Sequence, residues 1–132
     1  MIEQRNLYKG HPLRPWLKLG FMDRDGLPIE LDLLVDTGSS HAVVVRQELF
    51  EKLASRTTRK IRSNFGDMIG GWIQLYSKEL GLVELVEGFG CDEMARSAMR
   101  SSLDFDGVVG LPVLRMLEYG GNHDSFWIRT PN

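Results

Sequence analysis

The sequence predicts a mostly β single domain with one or two short helices. Three observations carry this. Runs of alternating or β-branched residues recur along the chain, as in Trp16-Leu17-Lys18-Leu19-Gly20-Phe21-Met22 and Ala42-Val43-Val44-Val45. Turn residues punctuate those runs, most clearly Asp23-Arg24-Asp25-Gly26. Finally, 132 residues suffice for one core and are too few for two.

Taken in order, residues 1–15 are polar and contain Gly10, Pro12 and Pro15, so they read as an N-terminal arm or loop. The domain proper spans 16–132. Trp16 to Met22 and Leu27 to Val35 form a hairpin about the Asp-Gly turn. Ala42 to Val45 is a further strand. Gln47 to Ser55 reads as a helix with Leu49, Phe50, Leu53 and Ala54 on one face. Thr57 to Arg62 is a basic, exposed strand, and its charge suits a solvated edge. A glycine-rich turn between two strands follows at Asn64 to Leu75. Its glycines predict a mobile hairpin tip. Leu80 to Val86 is a strand bounded by Gly81 and Gly88. Asp92 to Arg100 has the spacing of a short helix. A cleaner helix follows Gly110, with Pro112 at its first position and Gly120-Gly121 after its last turn. Ser125 to Arg129 closes the chain as a strand.

The totals narrow the function classes. The chain is 42% hydrophobic and 26% charged with a formal net charge of -2, which gives no electrostatic case for nucleic acid or an anionic membrane. No apolar run approaches a membrane span, and the N-terminus lacks a signal-peptide core. Cys91, the single cysteine, cannot form an internal disulfide. The expected setting is cytoplasmic.

Chemistry concentrates at Leu33-Leu34-Val35-Asp36-Thr37-Gly38-Ser39-Ser40, where an apolar strand runs into an acid, a hydroxyl and a glycine. A carboxylate at the end of a buried strand must be paired, hydrogen-bonded or chemically used. The bland alternative is an Asp-initiated turn. About seventy residues on comes Phe105-Asp106-Gly107-Val108-Val109-Gly110-Leu111-Pro112-Val113-Leu114, with two β-branched residues between glycines and a helix after them.

Together these stretches resemble the single-domain, retropepsin-like aspartic proteases. In that family an apolar run leads into Asp-Thr-Gly. A later apolar-apolar-Gly segment threads behind the active-site loop before a short helix. The similarity extends from about Trp16 to Ile128. It implies a closed β-barrel with a flap hairpin, and Asp36 as the catalytic acid. Thr37, Gly38 and Ser39 would support it, Thr37 by cross-bonding between subunits and Ser39 by bonding the carboxylate. Met68, Ile69, Gly70 and Gly71 would form the substrate-binding flap, and Gly107 and Val108 would line the cleft. Hydrolysis by carboxylates needs two of them sharing a proton, and this chain has one Asp-Thr-Gly. A two-fold homodimer acting on a peptide or protein substrate is therefore expected, with neither metal nor organic cofactor. The rival reading is the same fold as a peptide- or partner-binding module without catalysis. His11, His41 and His123 lack metal-ligand spacing, and His41 reads first as an exposed loop histidine. Trp16, Trp72 and Trp127 read as core or interface residues.

Overall fold

A computed structural model describes residues 3–63, 66–92 and 105–131. The described elements are β1 (Glu3–Leu7), β2 (Trp16–Met22), β3 (Pro28–Asp36), β4 (Val43–Val45), α1 (Gln47–Leu53), β5 (Thr57–Ser63), β6 (Gly66–Ser77), β7 (Leu82–Gly90), β8 (Gly107–Gly110), α2 (Leu111–Leu114), β9 (Glu118–Gly121) and β10 (Ser125–Arg129). A single 3-10 turn, Lys78–Leu80, joins β6 to β7.

Six strands close a barrel in the order β2-β3-β8-β4-β7-β6. Closure comes from β2 pairing with β6 at Phe21↔Leu75 and Met22↔Gln74. β5 lies outside the barrel, on the other half of the same edge of β6. The β2–β3 hairpin forms as its sequence requires. Asp23 Oδ1 accepts the N–H groups of Asp25 and Leu27, each at 2.9 Å, and Gly26 takes φ +82°. Its alternation puts Leu17, Leu19, Phe21, Leu31 and Leu33 in the barrel core. Each such side chain contributes about 1.5–3 kcal/mol through burial. α1 covers this core with Leu49, Phe50 and Leu53, the face its spacing indicates. β5 is exposed along most of its length, as its basic residues suggest. Among the described residues no helix is long and apolar enough to cross a membrane.

Several expectations are corrected. The N-terminal arm contains a strand: β1 pairs antiparallel with β10, and β10 pairs with β9, in a separate three-stranded sheet. Its polar residues bond sideways. The Gln4 amide accepts the Lys18 N–H at 2.7 Å and donates to the Lys18 carbonyl at 2.9 Å, so it completes the free edge of β2. The helix after Gly110 is one turn long. Met116 and Leu117 donate to Val113 and Leu114 in i→i+3 bonds, and the chain then enters β9. Gly120 and Gly121 are strand residues. A Cβ on Gly120 would lie 2.7 Å from the Trp127 ring. Gly88 does not bound β7 but lies within it, where a Cβ would meet Ile73 Cδ1 at 2.5 Å. Leu80 belongs to the preceding 3-10 turn. The helix expected over 92–100 falls almost wholly outside the described residues.

Candidate active site

β3 delivers Asp36 as its last residue, and the loop after it leads back through His41 into β4. β8 is inserted between these two strands. It runs parallel to β3 (Leu33↔Gly107 to Asp36↔Gly110) and antiparallel to β4 (Val43↔Val109 to Val45↔Gly107). The downstream Gly-Val-Val-Gly therefore closes the Asp36 loop from behind. The glycines are needed for this approach. A Cβ on Gly107 would collide with the Val44 carbonyl oxygen, and one on Gly110 with the His41 carbonyl oxygen. Val109 between them is fully buried in the barrel core.

Backbone hydrogen bonds pin the loop at both ends. Gly110 N–H donates to Ala42 O at 3.0 Å, and Leu111 N–H donates to Ser39 O at 3.1 Å. Within the loop, Gly38 N–H donates to Asp36 Oδ1 at 2.9 Å, and Ser39 N–H donates to Asp36 O at 3.1 Å. The result is an Asx turn that fixes the carboxylate's orientation. The carboxylate itself, Thr37 and Gly38 are exposed in the single chain, although the strand behind them is buried on one face. Ser39 does not bond the carboxylate. Its Oγ accepts the His41 N–H at 3.3 Å and lies 3.4 Å from His41 O. The nearer Gly38 N–H already occupies Oδ1. Among the described residues the Thr37 hydroxyl has no partner.

The remaining expected site residues divide. Val108 is buried in a second apolar cluster with Val44, Met68, Phe89 and Cys91, on the sheet face opposite the barrel core. Leu34, two residues before Asp36 and on its side of β3, packs against that cluster. Met68 and Val108 are thus brought together behind Asp36. Met68-Ile69-Gly70-Gly71 is strand, not hairpin tip: it lies within β6, and residues 64–65, between β5 and β6, lie outside the described residues. Gly70 and Gly71 serve packing there. A Cβ on Gly71 would lie 2.7 Å from Phe50 Cζ and 2.8 Å from Arg56 O.

Asp106 offers no second catalytic carboxylate. Its Oδ2 accepts the Asp32 N–H at 2.9 Å and its N–H donates to Asp32 O at 2.8 Å, which extends the β3–β8 ladder. Arg46 stands 3.7 Å from its other oxygen. On the other flank, Val35 N–H donates to Pro15 O at 3.1 Å, and the preceding Arg14 pairs with Lys9. Arg14 Nε is buried and lacks a hydrogen-bond partner among the described residues.

The sequence reading missed a polar group at the far side of the second cluster. The His41 ring lies 4.7 Å from the Phe89 ring, so His41 is half-buried rather than exposed. Arg59 forks onto Glu87 at 2.9 and 3.2 Å, and the Thr58 hydroxyl donates to the same carboxylate. The Arg59 hydrogen bond first, and Thr58 second, hold Glu87 below the usual carboxylate range. No local pattern joins residues 28 apart; only the strand pairing does.

Two surface cavities, of about 530 and 480 Å³, lie elsewhere. The larger is lined by Gln4, Lys18, Glu30 and Tyr76, near the start of β3, whereas Asp36 is its last residue. The smaller is lined by Gln47, Lys60, Asp67 and Met68. Neither includes Asp36. Among the described residues no cluster of three His, Cys, Asp or Glu side chains could hold a metal ion. No family model, curated protein or solved structure matches the chain.

Proposed function

We propose that this chain is one protomer of a homodimeric, retropepsin-like aspartic endopeptidase, with one Asp36 from each protomer forming the catalytic pair. The observation that carries the reading is β8 inserted between the two strands that flank Asp36-Thr37-Gly38. This device holds a carboxylate at a strand end, facing outward, on a loop pinned from behind.

Two features fit a site completed by a second copy. The chain supplies one such carboxylate, and elsewhere Arg14 Nε is buried without a partner among the described residues. Buried polar groups are rarely left unsatisfied in a finished site. A two-fold axis at the loop sets each Asp36 against its mate. At about 3–4 Å and an effective dielectric near 20, two ionised carboxylates repel by about 4–5 kcal/mol, so one proton is retained between them. The ionised member takes a proton from water as general base. The protonated member polarises the scissile carbonyl. The Asx turn contributes by fixing the carboxylate before substrate arrives.

Purified protein with an unstructured peptide library tests the reading. Asp36→Asn abolishes cleavage while circular dichroism and melting stay near wild type. A wild-type protein that binds peptides without cutting them supports the binding-module reading instead. Cleavage by Asp36→Asn near the wild-type rate rules out Asp36 as the catalytic acid.

A further inference from the structure

The sheet face that carries Asp36 continues, strand by strand, to a group of side chains with no role in the hydrolysis. Leu34 pairs with Val108, Val108 with Val44, Val44 with Phe89, and Phe89 with Gly70. Side chains at such paired positions share a face. Asp36, two residues beyond Leu34, lies on the same face. At the far end the row meets Thr58, because a Cβ on Gly70 would lie 2.5 Å from Thr58 Oγ1 and 2.8 Å from Phe89 Cε1.

Three segments converge on the Phe89 ring. His41 comes from the Asp36 loop itself, with its ring 4.7 Å away. Arg59 comes from β5, with its guanidinium carbon 5.7 Å from the ring centre. Glu87 comes from β7, and Arg59 and Thr58 occupy its carboxylate. The His41 ring nitrogens have no hydrogen-bond partner among the described residues, whereas its backbone N–H and carbonyl are both turned onto Ser39 Oγ. The group thus presents donors: the His41 imidazole and the remaining guanidinium N–H groups. Its one acid is already neutralised. Lys60 on β5 and Arg56 just before it add positive charge without a salt-bridge partner among the described residues.

Distance makes this group relevant to the site. From β3 to β7 is three strand spacings, or about 14 Å. An extended peptide covers that in about four residues at about 3.3 Å each. We infer that His41 and Arg59, backed by the buried Phe89 ring, form a subsite that selects an acidic side chain three or four residues from the scissile bond. The inference rests on the peptidase reading. Under two-fold symmetry each protomer supplies one such subsite, so the preference acts on both sides of the bond. Arg59 and His41 meet the carboxylate, and the Phe89 ring, itself buried, backs them from beneath.

The experiment compares peptides identical except for Glu, Gln or Lys at the third or fourth residue from the cut, on either side. kcat/KM for the Glu peptide exceeds that for the Lys peptide by about fivefold, the size of one exposed charge contact. The ratio falls toward one in Arg59→Met/Glu87→Met, which removes the ion pair together, and in His41→Ala. Equal cleavage of the Glu and Lys peptides by wild type overturns the subsite while leaving the peptidase intact. A preference that survives in both variants also overturns it. Failure to cleave any peptide overturns the peptidase reading and the subsite with it.

Discussion

Gly110→Ala is the sharpest test of how the fold holds Asp36. The added methyl would collide with the His41 carbonyl oxygen, and would lie 2.8 Å from Ser39 O and 3.0 Å from Ser39 Cβ. The Ser39 oxygen alone falls about 0.6 Å short of the 3.4 Å at which ordinary contact begins. None of these atoms is the far end of a flexible side chain, so relief requires the loop to move. Overpacking of this kind costs about 1–3 kcal/mol. The same shift weakens the Gly110–Ala42 and Leu111–Ser39 hydrogen bonds, each worth about 1 kcal/mol. The expected loss is about 2–4 kcal/mol in urea unfolding. Displacing the carboxylate by about 1 Å lowers kcat/KM about a hundredfold. Val83→Ala, on an exposed position of β7, is the control and stays within about 0.5 kcal/mol of wild type. A Gly110→Ala protein with wild-type stability and activity would refute the claim that β8 pins the loop.

Other outcomes follow from the same geometry. Under the proposed two-fold, Asp36→Asn removes the repulsion between facing carboxylates, so the variant dimerises more tightly than wild type at pH 7, as sedimentation measures. Glu87 is held below its ordinary range, chiefly by the Arg59 hydrogen bond. A depressed carboxyl contributes stability that is present above its unfolded value, about 4.3, and is lost as pH falls through the lower folded value. Glu87→Gln should therefore lower stability at pH 7 and flatten the loss below about pH 4.5, as read from melting curves across that range. An unchanged acid limb would place the Glu87–Arg59 pair outside the stability balance.

The parts legible in the sequence are those fixed by local chemistry. Asp23 and Gly26 specify a turn, and the alternation on both sides then sets every pair from Trp16↔Leu34 to Met22↔Pro28. Val108-Val109 between glycines stands out in the sequence, and the structure shows why the glycines are there: Gly107 and Gly110 lie against the backbone of Val44 and His41. The illegible parts depend on tertiary partners. β1 reads as a polar arm because Gln4 and Asn6 bond the β2 backbone through their side chains rather than by burying apolar groups. Gly70 and Gly71 read as a flexible tip because sequence cannot tell a glycine chosen for freedom from one chosen for space. Phe50, Thr58 and Phe89 show that these two were chosen for space. Arg59 and Glu87 meet only because β6 pairs with both β5 and β7. Their contact exists at no earlier level than the sheet.

The proposed catalytic site is built from two chains. Titration calorimetry with a peptide mimic carrying a hydroxyl in place of the scissile carbonyl counts the sites directly. Such a mimic occupies the position between the paired carboxyls. The expected result is one mimic bound per two chains, with binding lost in Asp36→Asn. One mimic per chain, or binding that survives Asp36→Asn unchanged, would contradict it.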